Sequence, residues 1–329
     1  MKILVVFTGG TISCSNNNGV LSTDDSNSYL LIDMYSRFDR SVQLEMLKPY
    51  TILSENLCGD NLMTLYNSLK NYDTSQLDGI IVTHGTDTLQ YTSAFLGYAF
   101  SNSSLPIVLV SANYPLSDSR SNGFENFCAA VDFIKSGEGR GAFVAYKNGS
   151  ETVKIHRATR LLAHNAYSDS LHSIFDMPFG HIENRKFVPN KSYTECESKL
   201  TFDDISISSK NDILIIKSGI DINYPQPYSS TKAVLFEGFH SGTISTGLKS
   251  LGDFCLKAKQ LEIPVFLTGV SEGFDYESKQ HFDRLSISAL PTAAPISMEM
   301  KLRLLNKENI GKVFQPCGGD FLYNKTASI

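Results

Sequence analysis

Three short stretches carry the residue types that acyl transfer needs. Thr83-His84-Gly85-Thr86-Asp87-Thr88 gathers hydroxyls, an imidazole, a carboxylate and a glycine. Thr8-Gly9-Gly10-Thr11-Ile12 supplies two more hydroxyls beside paired glycines, and Ser54-Glu55 adds a hydroxyl and a second carboxylate. Gly9 and Gly10 let the backbone turn sharply and approach a ligand with its amides free. Such amides could cradle a phosphate, but G-x-G-x-x-G and the P-loop Lys-Ser/Thr are both missing, which disfavours nucleotide binding. Hydroxyl clusters without metal-ligand spacing suit a threonine nucleophile, with backbone donors acting as an oxyanion hole. Asp87 also has a plainer reading: with Gln90 three residues on, it resembles a capping box at a helix start. The two roles are compatible.

The elements around these stretches alternate. Apolar runs predict strands over 2–7, 50–53, 80–82, 106–110 and 141–146. Helical spacing predicts helices over 29–37, over 60–71 (Leu62, Leu65, Tyr66, Leu69) and over 123–135 (Phe124, Phe127, Cys128, Val131, Ile134). This is the pattern of an α/β chain with a doubly wound, mostly parallel sheet. Ligands of such sheets bind at the carboxyl ends of the strands, where all three polar stretches fall. Neighbouring strands lie about 5 Å apart, so those loops can converge. Residues 13–28, rich in Ser, Asn and Asp, read as a mobile loop or loose hairpin, placed where lids occur. From about 181 to 210 the pattern dissolves. A second α/β pattern follows, with strands over 212–217, 233–236 and 263–268, a helix carrying Leu248, Leu251, Phe254, Cys255, Ala258 and Leu261, and a last helix over 297–305. The expected organisation is a large N-terminal domain over 1–190, a linker over 191–210 and a smaller C-terminal α/β domain over 211–329.

Composition bounds the function. With 42% hydrophobic and 19% charged residues the chain is ordinary for a globular protein, and at 329 residues it can bury a substantial core. A net charge of −5 and an isoelectric point near 5.8 argue against nucleic acid or an anionic membrane as partner. The six cysteines are scattered with no CxxC pair, as expected for reduced thiols in a cytoplasmic protein without a metal site. Residues 3–7 are too short an apolar run for a signal peptide, and no run reaches the roughly 18 residues of a membrane span.

The motifs together resemble a known family. Thr8-Gly9-Gly10-Thr11-Ile12 followed by His84-Gly85-Thr86-Asp87-Thr88 is similar to the two signatures of the bacterial-type L-asparaginases. The likeness extends through Val110-Ser111-Ala112-Asn113-Tyr114-Pro115, through Arg120-Ser121-Asn122-Gly123 with Asn126, and into Gly238-Phe239-His240-Ser241-Gly242-Thr243. Asn122 stands where the family usually has Asp. The resemblance implies hydrolysis of asparagine to aspartate and ammonia through an acyl-enzyme, with no metal or cofactor. It implies Thr11 as nucleophile, Thr86 and Asp87 as the second threonine and its carboxylate, and Ser54 and Glu55 on the substrate's α-groups. Gly85, Ser111 and Ala112 would complete the substrate pocket. A homodimer or homotetramer would let Ser241, with Glu299 as a second contributor, close a neighbour's site.

Two departures qualify this expectation. A lysine that partners the Thr-Asp pair normally follows the A-T-R segment, but Ala158-Thr159-Arg160-Leu161-Leu162-Ala163-His164 puts Ala163 there. His164 is expected to be a satisfied or solvent-facing histidine rather than a replacement base. The loop over 13–28 also lacks the tyrosine many members carry. The leading expectation is an amidohydrolase acting on a small-molecule amide. The alternative is a non-catalytic relative that binds a small amino acid.

Overall fold

The structure is a computed structural model and describes residues 1–10, 12, 14–17, 20–23, 25–207, 212–270 and 276–322. The chain forms two compact units, Met1–Tyr193 and Thr194–Ile329. In the first, β1 (Lys2–Phe7) leads to β2 (Cys14–Asn17) and β3 (Val20–Thr23), an antiparallel hairpin. Then come α1 (Asp25–Phe38), β4 (Gln43–Leu47), α2 (Gly59–Lys70), β5 (Gly79–Thr83) and α3 (Leu89–Ala99). β6 (Pro106–Val110), α4 (Gly123–Ser136), β7 (Gly141–Tyr146), β8 (Lys154–Arg157), β9 (Gly180–Glu183) and β10 (Lys186–Pro189) complete the unit.

Eight strands make one sheet in the order β10-β9-β8-β7-β6-β5-β1-β4. The β4-β1-β5-β6-β7 portion is parallel, and β8, β9 and β10 extend it antiparallel. The sheet is therefore doubly wound and mostly parallel. Its central strands are continuous apolar runs because both faces are covered. Ile3, Val5 and Phe7 join Ile81, Val108 and Val110 in a core closed by Leu31 and Tyr35 of α1 and by Phe127 and Val131 of α4. Leu4, Val6, Ile80 and Val82 alternate with them and are buried on the opposite face.

Two expectations are corrected. The strand placed over 50–53 lies earlier, at β4, whose residues are half-exposed because it is the sheet's edge. Ile52 makes only a single parallel bridge, to Gly9. The stretch from 181 is not featureless, because β9 and β10 form a hairpin there. An aromatic cluster holds that hairpin down: Phe133 of α4 lies 4.8 Å from the Phe143 ring and 4.9 Å from the Phe187 ring, both edge-on.

The second unit carries β11 (Ile213–Lys217), β12 (Ala233–Glu237), α5 (Lys249–Gln260), β13 (Val265–Thr268), α6 (Phe282–Leu285), β14 (Ile287–Ala289) and α7 (Pro295–Leu304). Its four strands pair in chain order, all parallel. Val234, Phe236, Leu251, Phe254, Ala258, Val265 and Leu267 form its own core. The last helix starts two residues before the expected position, at Pro295, whose fixed φ suits a first helical turn. Cys58, Cys128 and Cys255 carry free thiols. Burial pushes the Cys128 thiol up to about 12 and the Cys255 thiol up to about 11. Among the described residues no helix is long and apolar enough to cross a membrane.

Candidate active site

β1 and β5 are neighbours, and the chain departs from them in opposite directions, to β4 on one side and to β6 on the other. That is the topological switch point of an open α/β sheet, where the carboxyl ends part to leave a crevice. Both sequence motifs occupy it. Thr11 lies outside the described residues. Its flanking residues are Gly10 and Ile12, and the Ile12 side chain is buried in the core.

The two motifs interlock through glycine. Gly10 has φ 77, and a Cβ built on it would lie 2.2 Å from the Gly85 nitrogen. A Cβ on Gly85 would lie 2.4 Å from Ser54 Oγ. Backbone is thus stacked on backbone with no room for a side chain between. The Ile52 N–H donates to the Thr8 carbonyl and the Gly10 N–H to the Ile52 carbonyl, each at 3.1 Å. These bonds seat the Ser54–Asn56 turn against the end of β1.

Around this stack the polar side chains sort themselves. Ser54 is buried, and its hydroxyl donates to Asp87 Oδ2 at 3.2 Å. Thr88 Oγ1 donates to the Ser54 carbonyl at 2.8 Å. Gln90 Nε2 donates to the Asp87 backbone carbonyl at 3.0 Å, and among the described residues α3 has no side-chain cap. The capping box expected of Asp87 and Gln90 is therefore not formed, and the Asp87 carboxylate faces Ser54 instead. Glu55 and Asp87 are exposed and Thr86 half-buried.

Other members of the motifs brace rather than react. Thr8 Oγ1 donates to the Thr83 carbonyl at 2.7 Å, tying the ends of β1 and β5. His84 is buried between Gly85 O and Thr92 Oγ1, each 2.8 Å from a ring nitrogen. A carbonyl can only accept, so Nδ1 carries the proton and Nε2 accepts from Thr92. Burial lowers the His84 pKa to about 4, which keeps the ring neutral. Asn122 and Asn113 exchange bonds, each backbone N–H donating to the other's Oδ1 at 3.0 Å, and Asn122 Nδ2 donates to the Lys147 carbonyl. Asn126 Nδ2 donates to Ser111 O at 2.9 Å, fixing the end of β6. The Ser111 hydroxyl is buried without a hydrogen-bond partner among the described residues, and the Ala112 methyl is in the core.

A cavity of about 360 Å³ opens beside Thr86 and Asp87, walled by Gln90 and residues 164–169. His164 lines it, whereas Ala163 is exposed and is not part of the wall. His164 is half-buried. Its Nδ1–H donates to the Ser170 carbonyl at 3.2 Å, but its Nε2 is buried with no partner among the described residues. The residue signal for this placement was only its position one step beyond Ala163. In the second unit, Ser241 lies just beyond β12 in a tight turn, its Oγ 3.1 Å from Thr243 Oγ1. Glu299 on α7 is buried, which raises its pKa, with Arg303 3.8 Å away.

The doubly wound sheet thus gathers serine and threonine hydroxyls beside a carboxylate at its switch point. Residues 2–193 match the family described as "Asparaginase, N-terminal", and the chain belongs to the asparaginase family. It is 30% identical over 165 residues to an L-asparaginase of Thermococcus kodakarensis, covering 47% of this chain and 48% of that protein. It is 28% identical over 237 residues to a component of the glutamyl-tRNA(Gln) amidotransferase of Methanosphaera stadtmanae, covering 67% of this chain and 51% of the relative. The chain thus matches about half the length of these two relatives. The fold is that of the thermostable L-asparaginase from Thermococcus kodakarensis, with a TM-score of 0.80 at 22% identity over 98% of this chain and 100% of that one.

Proposed function

We propose that this chain hydrolyses L-asparagine, with glutamine or a related amide as a poorer substrate, to the acid and ammonia through an acyl-enzyme on Thr11. The observation that carries the reading is the stacking of Gly10, Gly85 and Ser54, which brings the two threonine motifs to one point beside Asp87. In this reading the Thr11 hydroxyl attacks the side-chain carbonyl while backbone N–H groups beside it support the developing oxyanion, the Gly10 N–H being already given to the Ile52 carbonyl. Ser54 and Glu55 hold the α-carboxylate and α-amino groups, Thr86 and Asp87 serve the proton transfers, and Ser111 and Ala112 close the pocket wall. Ser241 of a second copy closes the site in a homodimer or homotetramer, in the cytoplasm. A pocket that grips α-substituents distinguishes side-chain length by roughly 10- to 200-fold per methylene. The test is a coupled ammonia assay on purified protein with each amide. Ammonia release faster from asparagine than from glutamine supports the reading, and none above the buffer blank overturns it.

A non-catalytic protein that binds a small amino acid is the second reading. It is favoured because, among the described residues lining the cavity, none is a lysine or arginine. Calorimetric binding of aspartate or asparagine with no ammonia release would establish it. The name of the amidotransferase relatives suggests a further variant, in which the released ammonia is passed to an acceptor.

A further inference from the structure

Two residues that line the cavity beside Thr86 and Asp87 each carry a buried acceptor, Gln90 Oε1 and His164 Nε2, with no hydrogen-bond partner among the described residues. Gln90 is itself 5% exposed. A buried acceptor left unpaired is costly, so such sites are ones that a ligand or a moving proton completes. Apart from Ala166 the wall is otherwise hydroxyl, amide and carboxylate, and His164 is the described imidazole there, the side-chain type suited to accept and return a proton.

Resting on the hydrolytic reading above, we propose that His164, rather than a lysine, is the proton acceptor serving the Thr86–Asp87 pair. The Nδ1–H bond to Ser170 fixes the tautomer and leaves the Nε2 lone pair for this task. As the Thr11 oxygen bonds to the amide carbon, its proton passes through the Thr86 hydroxyl to Nε2. The imidazolium then returns that proton to the amide nitrogen as the C–N bond breaks, and ammonia leaves. Water hydrolyses the ester by the reverse relay, and no oxidation or reduction is involved.

The groups around the ring fit this cycle. Burial lowers the His164 pKa, while Asp169 and Asp87 oppose that shift and His172 adds to it. Tyr146 of β7 stands edge-on to the ring at 6.0 Å, its own phenol pushed up to about 12 by burial and so neutral. The neutral imidazole is the working form, and Asp87 favours the imidazolium once it forms.

The experiment pairs kinetics with a proton-specific readout. His164→Gln is expected to lower kcat for asparagine by about 10²–10⁴-fold. KM should change little, and the acidic limb of the pH–rate profile should disappear. His164→Lys should recover part of the lost rate. In the whole protein, NMR titration of the His164 ring should show its midpoint moving down in Asp87→Asn. Wild-type kcat and an unchanged acidic limb in a folded His164→Gln protein would overturn this role and leave the hydrolytic reading standing. A His164 midpoint indifferent to Asp87→Asn would also overturn it. Absence of ammonia release from the wild type overturns both readings, and the titration then reports only whether ring and carboxylate are coupled.

Discussion

Thr11, Ser54 and Glu55 divide one substrate between them in the proposed reaction, and the division is measurable. Thr11 contributes the attacking oxygen, whereas Ser54 and Glu55 contribute grip. Thr11→Ala is therefore expected to reduce kcat by roughly 10⁴–10⁶-fold, the scale on which loss of a covalent nucleophile falls. Aspartate affinity should stay largely intact by calorimetry. Equal loss of binding would make Thr11 a binding residue and put the nucleophile elsewhere. His84 makes the opposite case, a motif residue spent on structure. Its ring resists protonation down to about pH 4, whereas in the unfolded chain it takes a proton near 6.5. The stability it contributes is complete above pH 6.5 and is lost as pH falls from there towards 4. Unfolding free energies from urea titrations at pH 7.5 and 4.5 should differ in part for this reason. The difference should shrink by about 2–3 kcal/mol in His84→Gln. His156, lowered to about 3 by burial, acts in the same direction and is left in place by that variant. An unchanged difference would show that His84 is not held neutral.

At the scale of elements, the crevice exists because the ends of β1 and β5 and the Ser54 turn touch backbone to backbone. The two glycines differ in what surrounds them. A methyl on Gly10 meets the Gly85 backbone and must also adopt φ 77, so nothing can yield cheaply. A methyl on Gly85 meets Ser54 Oγ and Cβ, so relief requires the Ser54 hydroxyl to leave Asp87 and its turn to shift. Gly10→Ala should accordingly cost several kcal/mol of stability, about 2–4 on the scale of overpacking plus strain. Gly85→Ala should cost less stability but raise KM by about tenfold or more, the equivalent of one lost hydrogen bond. The order is what matters: a larger melting-temperature loss for Gly85→Ala than for Gly10→Ala would show that the stack is not built as described. α3 owes its start to the same economy of contacts. Gln90 bonds to the Asp87 carbonyl and His84 to Thr92, so the helix is anchored without drawing on the Asp87 carboxylate.

For the whole molecule, each unit has its own main sheet and core, and among the described residues no sheet includes strands of both. The second unit contains a fully buried ion pair, Lys301 Nζ to Asp320 Oδ2 at 2.6 Å, with Lys301 also donating to the Gln315 carbonyl. Asp320 Oδ1 accepts from the Cys317 N–H at 3.0 Å. Removing one partner leaves a buried charge uncompensated, which costs about 3–5 kcal/mol, whereas replacing both by apolar residues is often close to neutral. Lys301→Met should destabilise the second unit by that amount, and Lys301→Met with Asp320→Leu should recover most of it. Hydrogen exchange followed separately on β11–β13 and on β1, β5 and β6 is the measurement. Loss of protection confined to the former is expected, and equal loss in both would mean the units unfold as one.

Much of this protein was already legible along the chain. β1, β5, β6 and β7 are buried on both faces, so each is a continuous apolar run, and the polar residues that follow each run stand at a carboxyl end. That local contrast was enough to read an α/β sheet and to place Thr86 and Asp87 at a carboxyl end, whereas Ser54 was placed there through an expected strand over 50–53 of which only the Ile52 bridge to Gly9 exists. Edge and antiparallel strands were not legible. In β4, β8, β9 and β10 the side chains are short runs of mixed polarity, and what makes them strands is pairing: β4 with the distant β1, β8 with the edge of β7, and β9 with β10 in a hairpin held by the aromatic cluster around Phe133. The division of labour inside the motifs was equally hidden. Whether a polar side chain reacts or braces depends on what lies within about 3 Å of it. For Thr8 that is a carbonyl 75 residues on. For Asp87 it is a serine 33 residues back. His164 lies among the residues lining the cavity beside Thr86; the resemblance pointed only to its neighbour Ala163, and the tertiary structure decided which of the two side chains lines the wall.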